Sequence, residues 1–204
     1  MTKRERVIAA VNHKQTDFVP YQVGLTHQEH EKVSRYLNDD AFETKIGNHI
    51  DSVYYDGYLR EITPGSGYWK DDFGVVWNRN GVDKDIGVID GFVISEPDRK
   101  QIKMPQLDEK RLRREYEALI ANKGDMFLFG SIGFSMFERA WTLRGMENFL
   151  TDMLLEPDFA DSLLDAILEY NLRVMDIALE YNLDGFHFGD DWGQQQGLIM
   201  GPKP

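Results

Sequence analysis

The sequence predicts an α/β protein built around parallel strands. Short apolar segments alternate along the chain with longer amphipathic segments, which is the order of strands and helices in parallel sheets. Residues 126–130 are apolar without alternation, as expected for a strand that is buried on both faces. Right-handed crossovers would connect such strands. A chain of 204 residues fits one large domain or two small ones.

Four segments have the pattern of buried strands. The first begins at Phe18 and is ended by Gly24, and the last follows the turn sequence Asn182-Leu183-Asp184-Gly185. We expect strands over residues 19–24, 51–57, 126–131 and 185–189.

Helices are predicted between these strands. Thr2 and Glu5 form the pattern of a capping box, which predicts a helix over residues 3–13. The clearest helix begins at Pro157, because apolar residues then recur at spacings of three and four. These residues are Phe159, Leu163, Ile167, Tyr170, Val174, Ile177 and Tyr181. Further helices are expected over residues 28–37, 41–47, 107–121, 137–142 and 146–155.

Residues 63–105 interrupt this alternation. Glycines punctuate short aromatic and β-branched pieces such as 68–69 and 75–77, which is typical of hairpins. We therefore predict a β excursion inserted into the larger fold.

The composition excludes several classes of protein. With 23 Lys and Arg against 35 Asp and Glu, the net charge of −12 disfavours nucleic-acid binding, which needs a basic face. The sequence has no apolar stretch of membrane-span length and no secretory leader. It also has no cysteine. We therefore expect a cytoplasmic protein with no nucleic-acid or membrane partner.

Candidate catalytic carboxylates follow two of the predicted strands, where parallel α/β folds bind ligands. Asp190 and Asp191 come after the last strand, beside Trp192. Paired acids can differ in pKa or hold a cation, although one could cap a helix while the other faces solvent. Asp56 has a similar position after residues 51–57, where a cap or turn role is the alternative.

Candidate substrate-binding residues lie near the same strand ends. Arg139 and Arg144 could clamp an anion, or serve as surface charges. Trp192 and Gln195 are candidates for the cleft lining. His187 is a further candidate, although an interior role fits its apolar neighbours better than a metal-binding role. No metal site is expected.

Three blocks of sequence carry a resemblance to a known family. The first block consists of residues 2–14 together with residues 17–20. The second block, residues 71–77, has the sequence Asp-Asp-Phe-Gly-Val-Val-Trp, and the third, residues 188–193, has the sequence Phe-Gly-Asp-Asp-Trp-Gly. In this order the blocks resemble the uroporphyrinogen decarboxylase-like proteins. The resemblance implies a (β/α)8 TIM barrel with a substrate cleft at its C-terminal mouth. It also implies either tetrapyrrole decarboxylation or methyl transfer between corrinoid proteins and coenzyme M.

The resemblance implies that the chain is a single domain, truncated at its C-terminus, that holds only the first four βα units. Asp56 matches the family's catalytic aspartate. The arginine pair of the decarboxylase is missing from residues 24–30, and its tyrosine is missing near Ala140 and Trp141. Methyl transfer is therefore favoured over decarboxylation of uroporphyrinogen.

The resemblance also bears on cofactors and partners. Methyltransferases of the family bind zinc through one histidine and two cysteines, so zinc is possible in a full-length relative. No cofactor is expected within this chain, which lacks cysteine. The expected partners are a small-molecule tetrapyrrole or a corrinoid protein, with a possible homodimer. The alternative is a non-catalytic half-barrel that serves binding or assembly, or an inactive truncated gene product.

Overall fold

The computed structural model describes residues 1–201, along which groups of helices and groups of strands follow one another. The strands are β1 (Ile50–Tyr55), β2 (Arg60–Glu61), β3 (Tyr68–Lys70), β4 (Val76–Asn78), β5 (Val88–Ile89), β6 (Phe127–Ile132), β7 (Gly185–Phe188), β8 (Gly193–Gln194) and β9 (Gly197–Leu198). The helices are α1 (Lys3–Val11), α2 (His27–Leu37), α3 (Glu43–Ile46), α4 (Glu109–Ala121), α5 (Phe137–Arg144), α6 (Met146–Leu155) and α7 (Pro157–Ala178). A 3₁₀ turn covers Arg99–Gln101.

A three-stranded parallel sheet has the strand order β1-β6-β7. The amide of Phe127 donates to the carbonyl of His49, and the amide of Gly133 donates to that of Tyr55, each over 2.9 Å. From the first bond to the second, both strands advance by six residues in the same direction, as neighbouring parallel strands do. A separate four-stranded antiparallel sheet has the order β2-β3-β4-β5, with Trp69 opposite Trp77.

The prediction of a TIM-barrel portion with four βα units is wrong. The parallel sheet has three strands and forms no closed barrel. The missing strand is the one predicted over residues 19–24, which lie in irregular structure. Within that segment Val19 is 79 % exposed, so the expected burial is absent as well.

Side-chain hydrogen bonds explain why residues 19–24 do not become a strand. The Asn48 side chain accepts from the amide of Val23 and donates to its carbonyl, each over 2.9 Å. The Gln22 side chain accepts from the amide of Ile50. Pro20 has no amide to donate to a ladder. The segment therefore bonds to the start of β1 mainly through side chains, beside one backbone bond from the amide of His49 to the carbonyl of Tyr21.

The chain forms two compact units. The first comprises Met1–Val53, Lys110–Gly130 and Ala178–His187, and the second comprises Tyr54–Glu109, Ser131–Ile177 and the described residues from Phe188 onward. In the first unit, the capping box of Thr2 and Glu5 is present at the start of α1, as predicted.

The core of the second unit is built largely on α7. The predicted apolar face of this helix is buried from Phe159 to Ile177, with Leu163 and Val174 fully buried. Phe149 on α6 and Val75 in the turn before β4 are fully buried as well. The helical periodicity therefore identified core residues correctly as far as Ile177, whereas Tyr181 lies beyond the end of α7 and is half-buried. Within residues 1–201, no helix has the length and apolar character needed to cross a membrane.

A buried ion pair in the second unit provides a test of this packing. Arg144 and Asp152 lie 2.7 Å apart, with 8 % and 6 % of their side chains exposed. Asp152→Ala leaves a buried guanidinium without its partner, so we expect the free energy of unfolding to fall by about 3–5 kcal/mol. The matched control is Asp158→Ala, which removes an exposed partner of Arg99 and should cost less than about 1 kcal/mol. Urea denaturation measures both, and equal losses would contradict the burial argument.

Candidate functional site

The candidate site lies in the second unit, where polar residues follow the ends of the parallel strands. Asp56 comes directly after β1, Phe134 and α5 follow β6, and Asp190 follows β7. The carboxyl ends of parallel strands share one edge of a sheet, which is the usual place for ligands in such folds.

A buried ion pair lies at the centre of this site. Arg139 Nη1 lies 3.3 Å from Asp71 Oδ2, and the two side chains are 2 % and 3 % exposed. Asp71 also accepts from the amide of Val75 over 2.9 Å and from the indole of Trp77 over 3.2 Å. The Arg139 guanidinium stacks 3.9 Å from the centre of the Phe73 ring. Both charges are thus well compensated, although burial still lowers the pKa of Arg139.

Asp56 lies beside this pair. Arg139 Nη2 donates to the backbone carbonyl of Asp56, which fixes the end of β1. Burial raises the pKa of the Asp56 carboxyl, the Arg139 charge lowers it in part, and the Asp71 charge raises it again. The net rise makes Asp56 a carboxyl group suited to donating a proton.

The Asp56 cleft is open to solvent, and the space within it, counted together with the solvent at its mouth, is about 350 Å³. Its lining consists of Asp56, Gly57, Leu59, Asp71, Trp77, Arg79, Asp85, Ile86 and Phe134. Aromatic rings, three carboxyl groups and one guanidinium therefore surround the same space. Such a combination suits a small organic ligand that carries a polar group.

Phe134 forms one wall of the Asp56 cleft in a strained conformation. Its φ is +48°, a left-handed value that is rare for a bulky side chain. Its ring packs 5.6 Å from that of Trp77 and 6.3 Å from that of Trp141. These contacts hold a backbone conformation that is unfavourable by itself, as is common in functional loops.

Asp190 caps helix α5. Its carboxylate accepts from the amides of Phe137 and Glu138 over 3.0 and 2.8 Å, and from the indole of Trp192. Met136, at the N-cap position, makes no side-chain capping bond, so Asp190 supplies the acceptor from a distant part of the chain. One aspartate of the pair thus has a capping role, although for an earlier helix than the sequence suggested.

Glu138 completes this arrangement. Its carboxylate accepts from the backbone amide of Asp191, while its own amide donates to Asp190. Burial raises the pKa of Glu138, and the charges of Asp191 and Asp190 raise it further. The Tyr54 hydroxyl, in contact with Gly133, lies near Asp56 and Glu138. Partial burial together with Asp56 and Glu138 raises its pKa to about 12.

Other residues proposed from the sequence lie in different surroundings. Asp191, Trp192 and Gln195 are exposed, and Gln195 lies in the turn between β8 and β9. His187 is an exposed residue of β7 in the first unit, where it contacts Phe129, and it does not have the interior place expected for it. The donors of Arg144 are bonded to Asp152 and to the carbonyl of Ser95.

Sequence reasoning missed several residues of the site. Asp71 entered only as part of a family block, Trp77 was assigned to hairpin packing, and Phe134 and Arg79 were not singled out. One signal was available for Asp71, since an aspartate three residues before a glycine is typical of a turn held by its carboxylate. Gly74 indeed has a φ of +93°, and its amide donates to the Asp71 carbonyl.

Zinc is expected only in a full-length relative, and that expectation stays a prediction. Within residues 1–201, no three His, Cys, Asp or Glu side chains are grouped so that they could hold a metal ion. His27 and His30 instead lie near Glu31 and Glu43.

The two adjacent aspartates provide one test of the site. Asp190→Ala removes the acceptor for two helix amides, so we expect the free energy of unfolding to fall by about 1–2 kcal/mol. Asp191→Ala, at an exposed side chain, should change it by less than about 0.5 kcal/mol. Chemical denaturation of both variants measures the difference. Equal effects would contradict the capping role of Asp190.

The pH dependence of stability provides a second test. Because the Asp56 pKa is raised in the folded state, folding takes up protons, and this group's contribution to stability falls as the pH rises from the unfolded pKa of ~3.9 through the folded value. Asp56→Asn stays neutral and avoids that loss. We expect it to raise the Tm at neutral pH and to have a smaller effect near pH ~4. Asp158→Asn is the exposed control, and a lower Tm for Asp56→Asn at neutral pH would contradict the argument.

Comparisons with known proteins add no family assignment. No family model matches this sequence. No curated protein and no solved structure matches it either. The resemblance to the uroporphyrinogen decarboxylase-like proteins therefore stays a prediction, and the site is argued from its own geometry.

Proposed function

We propose that this protein is an enzyme related to the uroporphyrinogen decarboxylase-like proteins, with Asp56 as a proton donor to a small organic substrate. The observation that carries the proposal is the position of Asp56. Its carboxyl group lines a cleft with Trp77 and Phe134, next to the buried pair of Arg139 and Asp71. A carboxyl group whose pKa is raised above its ordinary value is suited to general-acid catalysis.

The favoured reaction is corrinoid-linked methyl transfer. When a methyl group leaves a heteroatom of its donor, the heteroatom gains electron density and needs a proton. Asp56 would donate that proton and become a carboxylate, which Arg139 would then stabilise by its charge. The corrinoid belongs to a partner protein and would accept the methyl group. Tetrapyrrole decarboxylation is less favoured, because residues 24–30 hold no arginine pair for its many carboxylates.

Tyr54 supports a role for this site in proton transfer. Its hydroxyl lies against Gly133, in the loop that follows β6, and its pKa reflects the charges of Asp56 and Glu138. A hydroxyl with a pKa of about 12 stays protonated and can donate a hydrogen bond to a substrate. Tyr54 and Asp56 would thus approach a ligand from the same strand end.

The test is an activity assay with defined substrates. We expect the purified protein to transfer the methyl group of methyl-coenzyme M to reduced cobalamin, the direction in which the leaving sulfur takes up a proton. The visible spectrum follows this reaction, and uroporphyrinogen should stay unchanged. Asp56→Asn should lower kcat by about 100-fold or more, the usual contribution of a general acid. The control Asp158→Asn changes a 93 % exposed carboxyl group and should retain full activity.

Two results would contradict the proposal in different ways. Full activity of Asp56→Asn would remove Asp56 from the chemistry. Absence of both methyl transfer and decarboxylation in the wild-type protein would reject the enzymatic assignment and favour a binding or assembly role.

A further inference from the structure

His49 is a buried histidine directly before β1, with 1 % of its surface exposed. Its Nε2 lies 2.9 Å from Nη1 of Arg6, a residue of α1. A guanidinium can only donate hydrogen bonds, so Nε2 must carry a lone pair and the ring proton must be on Nδ1. Within residues 1–201, Nδ1 has no hydrogen-bond partner. The folded protein therefore holds His49 as a neutral ring that accepts one hydrogen bond.

His49 fastens residues 17–24, called the strap below, to the start of β1. Its amide donates to the Tyr21 carbonyl over 3.1 Å. The rings of Phe18 and Tyr21 pack edge-on against the imidazole, with ring centres 5.5 and 4.7 Å away. The Tyr21 hydroxyl points to the Ile46 carbonyl, to which it donates over 2.7 Å. The strap is therefore packed on the imidazole and bonded to its backbone.

Arg6 connects the beginning of the strap to the same imidazole. Its Nε and Nη2 bind the two carboxylate oxygens of Asp17 over 2.6 and 2.7 Å. Its guanidinium carbon lies 3.7 Å from the centre of the Phe18 ring, and its side chain is 6 % exposed. Because Nη1 donates to His49, every nitrogen of this buried cation has an acceptor.

The charges around His49 are balanced only while its ring is neutral. Arg6 and the α-amino group of Met1 are positive and lie beside Asp17, with the amino group 3.6 Å from Asp17 Oδ2. Asp125, which precedes β6, is a second negative charge near Arg6. A proton on His49 would place another cation against the guanidinium and would remove the acceptor of Nη1. Asp17 does not titrate in its place, because Arg6 holds the pKa of that carboxyl well below its usual range.

We propose that the strap is an acid-sensitive element that opens when His49 takes up a proton. Opening exposes the imidazole to solvent, where an imidazole is protonated below pH ~6.5. The closed strap excludes that proton, so closure is favoured above this pH and is lost as the pH falls below it. Opening also frees the amides of His49 and Ile50 for pairing with another chain. None of these contacts involves Asp56, so the strap can respond to pH whether or not the protein is an enzyme.

Hydrogen exchange measures the opening of the strap. Protection factors, corrected for the intrinsic effect of pH on exchange, are obtained by mass spectrometry for peptides that cover residues 17–24 and 48–51. Between pH ~7.5 and pH ~5 we expect the wild-type protein to lose protection there by about 10-fold or more. Peptides from α7 are the internal reference and should keep their protection. Equal loss in α7 would indicate global unfolding and would count against the proposal.

Two variants separate His49 from the other groups that titrate with acid. The side-chain oxygen of His49→Gln can accept from Arg6 but takes up no proton in this range, so the strap should stay protected at both pH values. The matched control is His27→Gln, which changes a 75 % exposed histidine of α2 and should retain the full wild-type response. Equal loss in the wild type and in His49→Gln would overturn the proposal, as would a wild-type strap that stays protected at pH ~5.

NMR of the imidazole nitrogens in the wild-type protein decides the case in which His49→Gln leaves the strap open at both pH values. At neutral pH we expect His49 to carry its proton on Nδ1 and a lone pair on Nε2. On acidification both nitrogens should become protonated over the same pH range in which the strap loses protection. A cationic ring or an Nε2–H ring at neutral pH would contradict the proposal, and so would protonation of His49 in a strap that stays closed.

Discussion

The ion pair between Arg139 and Asp71 connects the parts of the second unit that form the cleft. Arg139 comes from α5, whereas Asp71 lies in the turn between β3 and β4. The same guanidinium bonds to the backbone of Asp56, and the same carboxylate bonds to the indole of Trp77. Loss of either charge would leave the other buried and uncompensated, which is far more costly than loss of an exposed pair. The strand end, the antiparallel sheet and the helix are therefore coupled through one contact.

This coupling gives Asp56 an environment that does not favour the folded state. A carboxyl group next to a buried ion pair is partly desolvated, and its ionisation is opposed by Asp71. Phe134, with its left-handed backbone, adds strain to the same cleft. Unfavourable features that are concentrated in one place, and supported by a well-packed core around α7, are typical of sites that proteins retain for chemistry.

The sequence predicted local structure better than tertiary arrangement. The capping box at Thr2 and the apolar face of α7 depend on residues only a few positions apart. Both features can therefore be recognised from the amino-acid sequence alone. The segment 19–24 also looked like a strand, but hydrogen bonds to the Asn48 side chain, 25 residues away, decided its conformation. The site was partly predictable for the same reason. The position of Asp56 was predictable because parallel α/β folds bind ligands at strand ends. The pairing of Asp71 with Arg139 and the capping role of Asp190 depend on contacts more than 50 residues apart in sequence.

The bonds between residues 19–24 and the start of β1 also bear on the solubility of the protein. Exposed sheet edges attract strands from other molecules, because their backbone groups are free to pair. Here the amides of His49 and Ile50 are already taken by the Tyr21 carbonyl and the Gln22 side chain. An amide side chain cannot continue the backbone hydrogen-bond ladder to another strand, and Pro20 has no backbone N–H that could extend the ladder. The irregular segment thus protects the beginning of β1 against edge-to-edge aggregation. A regular fourth strand in its place would itself have formed a new exposed edge.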